Sequence, residues 1–137
     1  MLFFIMQEEH LIEKIIGCAY KVYNTLGSGF LEKVYENALY IELSRRGLSV
    51  KQKYSIEVYY DNVIVGEYIA DLLVEDKVLI ELKAVQNLCK EHEVQLVNYL
   101  VATGINIGLL INFGPKSVQI KRRLRKISYG EQIKEIP

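Results

Sequence analysis

From residue 11 to residue 26 apolar side chains return at three- and four-residue steps, at Ile12, Ile15, Ile16, Ala19, Tyr23 and Leu26, the spacing of a helix that buries one face. Gly27-Ser28-Gly29 interrupts it. The pattern resumes over residues 31–46, where Leu31, Val34, Tyr35, Ala38, Leu39, Ile41 and Leu43 form a second apolar set and Gly47 marks the stop. The period then changes. Residues 54–60 and 63–74 are rich in β-branched and aromatic side chains around an Asp61-Asn62 turn, and a third strand, residues 78–85, follows Glu75-Asp76-Lys77. These predict an antiparallel meander. A helix over residues 91–103 stopped by Gly104, a wholly apolar strand over residues 107–113 and a last strand over residues 117–120 complete the order. The expectation is one mixed α/β domain over residues 1–137, with 1–10 as an N-terminal extension and 127–137 as a C-terminal tail.

Composition narrows the chemistry. Half of the 137 residues are hydrophobic, enough for one domain to bury a core without disulfides or a structural metal. The 17 Lys and Arg balance the 17 Asp and Glu, which counts against a strong non-specific nucleic-acid binder. Cys18 and Cys89 form no CxxC pair and are expected to be reduced and buried. With only His10 and His92 present, an all-His zinc site is excluded, and a catalytic metal would rest on carboxylate oxygen, which favours Mg²⁺ or Mn²⁺. The apolar Met1 to Met6 lacks a basic flank and is too short for a signal peptide or a membrane span, so a cytoplasmic protein without membrane contact is expected.

The second hairpin of the meander carries the strongest chemical signal. A turn centred on Asp76 pairs residues whose numbers sum to about 152, which sets Asp71 opposite Glu81. Lys83 shares the face of Glu81 because side chains alternate along a strand. Two opposed carboxylates repel, and burying them is costly unless a cation or proton compensates. A divalent metal held by Asp71 and Glu81, with Lys83 placing a water, is one reading. The other is that all three are ordinary solvent-facing charges on an edge strand, although Ile69-Ala70 and Val78-Leu79-Ile80 show no polar alternation.

Three further sets leave two readings each. Glu32 opens the second helix, with Tyr35 and Glu36 beside it; a carboxylate there is also what the helix dipole favours, and Tyr35 fits a core aromatic. His92, Gln95 and Tyr99 form a polar row three and four residues apart, either a solvated stripe or, with Gln95 and Tyr99 near Lys83, part of a site. Lys116, Lys121, Arg122, Arg123, Arg125 and Lys126 are the one concentrated basic stretch, either phosphate-contacting or a solubilising tail.

Taken in order, these residues resemble the GxxExxY protein family, a branch of the PD-(D/E)XK nuclease superfamily, over residues 12–125. The resemblance rests on Gly29, Glu32 and Tyr35 with Ala38-Leu39; on Asp71 followed by Glu81-Leu82-Lys83; and on His92, Gln95 and Tyr99 leading to Gly108-Leu109-Leu110-Ile111-Asn112-Phe113. It implies an αβββαβ core with a mixed central sheet flanked by helices, in which Asp71, Glu81 and Glu32 hold Mg²⁺ or Mn²⁺ and Lys83 assists the water. Gln95 and Tyr99 resemble the glutamine-tyrosine motif of exonuclease-like relatives. Ser28 stands where relatives often have Pro, and Tyr23 where many have His, which puts a second metal in doubt. The implied activity is a metal-dependent nuclease, with Asp71, Glu81, Lys83, Glu32, Gln95 and Tyr99 catalytic and Lys116, Lys121, Arg122, Arg123, Tyr35 and His92 touching nucleic acid, DNA before RNA. A homodimer is expected. The alternative is a non-catalytic nucleic-acid-binding or protein-interaction module of the same fold.

Overall fold

The structure, a computed structural model, describes residues 8–129 and 132–135. Helix α1 (Glu9–Leu26) buries Ile12, Ile15, Cys18, Ala19 and Val22, and α2 (Glu32–Arg45) buries Tyr35, Glu36, Leu39 and Leu43. Their bounds match the predicted helices to within two residues, but Leu31, Val34 and Ile41 of the expected second apolar set are exposed. The meander follows as β1 (Val50–Tyr60), β2 (Val63–Val74) and β3 (Val78–Lys83); then come α3 (Lys90–Thr103), β4 (Ile107–Phe113) and β5 (Val118–Leu124). The five strands form one sheet in the order β1-β2-β3-β4-β5, antiparallel except for the β3–β4 pair. α3 makes the crossover between those two parallel strands.

Alternation along the strands divides the core in two. Leu72, Val74, Ile80, Leu82, Leu109 and Ile111 pack with residues of α1 and α2, while Leu73, Leu79 and Leu110 pack with Leu96, Tyr99 and Leu100 of α3. The sheet is thus covered by helices on both faces, which is why its central strands read as apolar runs without alternation. At Gly108 a Cβ would lie 2.8 Å from Leu96 Cδ1, so glycine is what lets α3 pack this close to β4. Asp61 and Asn62 turn the first hairpin at φ 49 and 64, and Glu75 and Asp76 turn the second at φ 55 and 54.

The differences from expectation sit in polar strands. β1 begins at Val50, four residues earlier than predicted, because Lys51, Gln52 and Lys53 hide strand pairing behind a polar run. β5 likewise runs on through Lys121, Arg122 and Arg123, paired with β4 over its whole length, so half of the basic stretch is edge strand, where charge blunts further pairing. Part of the expected tail is also ordered backbone: β6 (Lys126–Tyr129) pairs antiparallel with β7 (Gln132–Glu135). Residues 1–7 of the expected extension, and 130, 131, 136 and 137, lie outside the described residues. Cys18 is buried as expected, but Cys89, at the start of α3, is exposed. No described helix is long and apolar enough to cross a membrane.

Candidate active site

The second hairpin has the register its turn predicts: Val74 pairs with Val78, Leu73 with Leu79 and Leu72 with Ile80. One step further the ladder stops. Where Asp71 and Glu81 would pair, the Asp71 backbone N–H donates to Glu81 Oε1 at 2.9 Å, and the Leu82 backbone N–H donates to Asp71 Oδ2 at 2.7 Å. Each carboxylate therefore takes the place of a carbonyl in the ladder. The ladder to β1 breaks at the same residue. Gln52 pairs with Leu72 and Tyr54 with Ala70, but Lys53, the residue between, has φ 58 and makes no pair with Asp71. A non-glycine residue held in the left-handed region is strained, and such residues persist where the surrounding structure fixes them. Asp71 thus stands at a fork, with its ordinary pairing lost on both sides.

Both carboxyls at the fork are nearly buried, with 8 % of Asp71 and 6 % of Glu81 exposed. Burial, and then the Asp71 charge, push the Glu81 carboxyl up to about 8. Burial also raises Asp71, against the opposing Leu82 N–H, and it raises Glu32 on α2, with Asp71 adding to the effect. Of the three carboxyls, Asp71 alone has an ammonium within ion-pair distance among the described residues, Lys53 at 3.7 Å. Lys83, half-buried two residues beyond Glu81, partly offsets the upward push at Glu81 and Glu32, yet it forms no ion pair among the described residues. From α3, Tyr99 reaches the same place: burial, followed by the Glu81 charge, pushes its hydroxyl up to about 12. The structure therefore brings Asp71, Glu81, Lys83, Glu32 and Tyr99 together. Gln95 lies one helical turn before Tyr99 and lines a groove next to it.

Three residues of this neighbourhood, Glu36, Lys53 and Asn112, were given no role at the site by sequence reasoning. Glu36, 1 % exposed, accepts from Gln52 Nε2 at 2.6 Å and from Lys53 Nζ at 2.8 Å, and Lys53 Nζ also stands 3.7 Å from Asp71 Oδ1. Burial pushes the Glu36 carboxyl up, but these bonds outweigh it and hold the group below its ordinary range. The available signal was a charge between Tyr35 and Leu39 on the buried face of α2. Asn112, fully buried, is the other: it accepts from Val85 N–H at 2.9 Å and donates to Val85 O at 2.9 Å, fixing the chain just past Lys83. Its signal was one amide in an apolar strand.

Other expected contacts are committed elsewhere. Tyr35 is wholly buried, its ring stacked on Phe113 at 4.4 Å, and its hydroxyl donates to Gly27 O at 2.6 Å and accepts from Phe30 N–H at 3.3 Å. It fastens the loop before Glu32 and presents nothing to a nucleic acid. Tyr23 similarly donates to Gly114 O at 2.7 Å. His92 Nδ1 accepts from the Cys89 N–H at 3.2 Å, capping α3. On β5, Arg122 makes a two-point pair with Glu9 at 3.1 and 2.9 Å, and Arg123 pairs with Glu93, so both predicted phosphate contacts are neutralised within the chain. Lys116 and Lys121 remain exposed.

The donor set bears on which metal fits. No group of three or more His, Cys, Asp or Glu side chains among the described residues has metal-holding geometry, so Glu32 stands near the fork without completing a cage. Asp71 and Glu81 each spend one oxygen on a backbone N–H; Glu81 Oε2 is left for a cation, and Asp71 Oδ1 already has the Lys53 ammonium at 3.7 Å, in the place a cation would take. Two hard oxygen donors suit Mg²⁺ or Mn²⁺, which commonly keeps waters and takes one or two carboxylates plus substrate phosphate.

A model of the PD-(D/E)XK nuclease superfamily matches residues 9–124. The crystal structure of SSO0001 is similar at a TM-score of 0.58 and 17% identity, covering 90% of this chain and 62% of that one. At that identity the likeness shows the fold alone, and this chain spans less than two thirds of the neighbour. No curated protein matches the sequence.

Proposed function

This chain belongs to the PD-(D/E)XK nuclease superfamily, and from that premise we propose that it hydrolyses phosphodiester bonds of nucleic acid at the fork, with Mg²⁺ or Mn²⁺ held by Asp71 and Glu81. The observation that carries the proposal is the pair of nearly buried carboxyls at a break in the sheet, both pushed upward chiefly by burial, with a half-buried lysine two residues beyond Glu81 that no acid has claimed. When bound, the metal supplies a more acidic water and neutralises charge developing on the phosphate. Asp71 and Glu81 present one oxygen each, held by the Leu82 and Asp71 amides. Lys83, kept in place by the Asn112 latch on Val85, orients the attacking water or stabilises the charged transition state. Glu32 and Tyr99 border the reacting volume, Glu32 as a half-buried carboxylate whose place depends on the loop that Tyr35 fastens.

Incubation of the purified protein with Mn²⁺ and single- and double-stranded DNA and RNA tests this. Metal-dependent cleavage that disappears in Lys83→Ala is expected; no cleavage of any of the four substrates would overturn it. A second reading, a non-catalytic binding module, is favoured by Lys53, whose ammonium already lies 3.7 Å from Asp71 Oδ1 and partly serves the role of a metal. Calorimetric titration with Mn²⁺ separates the two. Binding weakened by Asp71→Asn supports the nuclease, and binding indifferent to it supports the module.

A further inference from the structure

The outer half of the first hairpin carries an unusual amount of bare apolar surface. Tyr59, Tyr68 and Ile69 on it are 58 %, 47 % and 59 % exposed, and Val94 and Val101 face outward from α3 at 49 % and 54 %. Between hairpin and helix lies a groove of about 890 Å³, within the range of about 300–1,000 Å³ usual for small-ligand sites. The Tyr68 ring forms one wall. It reaches back over Gly66, where a Cβ would sit 3.4 Å from Tyr68 Cε2, and its centroid lies 5.5 Å from that of Tyr99. Gln95, Asn98 and Glu57 place amide donors, amide acceptors and a carboxylate among the apolar side chains. The inner end of the groove is Tyr99, the residue whose hydroxyl feels the charges of Glu81 and Asp71.

We propose that this groove receives an unpaired nucleobase next to the scissile phosphate, stacked against Tyr68, so that the substrate is a single strand or a locally unpaired one. The inference rests on the nuclease reading of the fork and names its substrate class. Three observations converge on a base in preference to other occupants. The groove is lined by Tyr99, whose ring stands 5.5 Å from that of Tyr68 and whose hydroxyl feels the Glu81 and Asp71 charges, so an occupant would sit beside whatever the fork binds. Its polar groups are the Gln95 and Asn98 amides, the Glu57 and Glu91 carboxylates and the Lys90 ammonium, a mix of donors and acceptors that suits the edge of a base and in which acids outnumber the one cation. The two arginines that would track a duplex backbone are paired with Glu9 and Glu93, leaving Lys116 and Lys121 of the expected phosphate contacts, which raises the weight of stacking as a source of affinity. Extended duplex recognition draws on a broad basic surface, and here half of the expected one is paired within the chain.

The test uses oligonucleotides carrying one 2-aminopurine, with the metal chelated so that no cleavage occurs. Single-stranded probe should bind, its fluorescence quenched by stacking, and a blunt duplex of the same sequence should bind at least about tenfold more weakly. Tyr68→Ala should weaken single-strand binding by about tenfold or more, Tyr68→Phe should leave it within about twofold, and circular dichroism should show both variants folded. Equal binding of the two probes, or binding unchanged in folded Tyr68→Ala, overturns the groove even where Mn²⁺-dependent cleavage proves the fork. Tyr68-dependent binding without cleavage does the reverse, supporting the groove and sinking the nuclease. A dimer in sedimentation that dissociates on Tyr68→Ala gives the groove to a second copy and also overturns the proposal.

Discussion

The two sides of the sheet treat charge in opposite ways. Along β4 and β5 seven consecutive residue pairs run without a break from Ile107–Leu124 to Phe113–Val118, and the arginines there are matched by Glu9 and Glu93. At the junction of β1, β2 and β3 the ladders fail on both sides of Asp71, and the Asp71 and Glu81 carboxyls there are pushed upward chiefly by burial. Charge on a complete edge strand is neutralised or solvated and does no chemistry. Charge at a broken one is held in place without being satisfied. The basic stretch is conspicuous in sequence, whereas the proposed site lies where backbone pairing gives way to side chains.

The largest effect should come from removing what the fork leaves unpaired. Lys83→Ala should lower kcat by about 10²–10³-fold in a single-turnover assay while the melting temperature stays near that of the parent, since no described bond depends on Lys83. A stability loss as large as the activity loss would make Lys83 a structural residue and erase the contrast. Next is the pH response of the fork. Folded Glu81 holds its proton to about pH 8, against about 4.5 when free, so the native state binds an extra proton across that window. Stability of the metal-free protein therefore falls as pH rises from about 5 to 8, by an amount on the order of a few kcal/mol. Urea melts should show this slope, Glu81→Gln should flatten it, and saturating Mn²⁺ should flatten it too. A slope unchanged in Glu81→Gln would show that the carboxyl is not carrying charge stress.

Smaller effects sharpen the boundary. Tyr35→Phe removes a hydroxyl that donates to Gly27 O and accepts from Phe30 N–H and should cost about 1–3 kcal/mol in denaturant melts. Nucleic-acid affinity should fall no further than the loss of folded protein explains. Smallest of all, Arg122→Ala should change stability by about 0.2–1 kcal/mol, the range of exposed ion pairs, and leave nucleic-acid affinity unchanged in a salt titration. A reduced salt slope would return β5 to the binding surface.

The fold was legible because its helices keep one apolar stripe and its central strands are apolar on both faces; Ile12, Ile15 and Leu39 or Ile80 and Leu109 leave little freedom in the assignment. Turn arithmetic also recovered the register that brings Asp71 to Glu81. What it could not supply was the break. Pairing rules assume continuous backbone, and the exchange of carbonyls for carboxylates at Asp71 and Glu81 depends on packing against α2 and α3. Lys53 was hidden for the same reason, since nothing in Lys51-Gln52-Lys53 distinguishes a strand residue at φ 58 from its neighbours. Tyr35 stood in a motif with Glu32, and a motif does not say which member touches substrate and which fastens the loop.

The carboxylates at the fork are also structural acceptors, with Glu81 receiving the Asp71 amide and Asp71 the Leu82 amide. Two selections therefore act on them, and only one concerns chemistry. Under the proposed function, a descendant that abandoned hydrolysis would still be under pressure to keep both acids, because each closes a hydrogen bond at the divided sheet. Lys83 has no such second employment. Across a lineage, survival of the acid pair records that the sheet still divides, and survival of the lysine beside it records that the division is still in use.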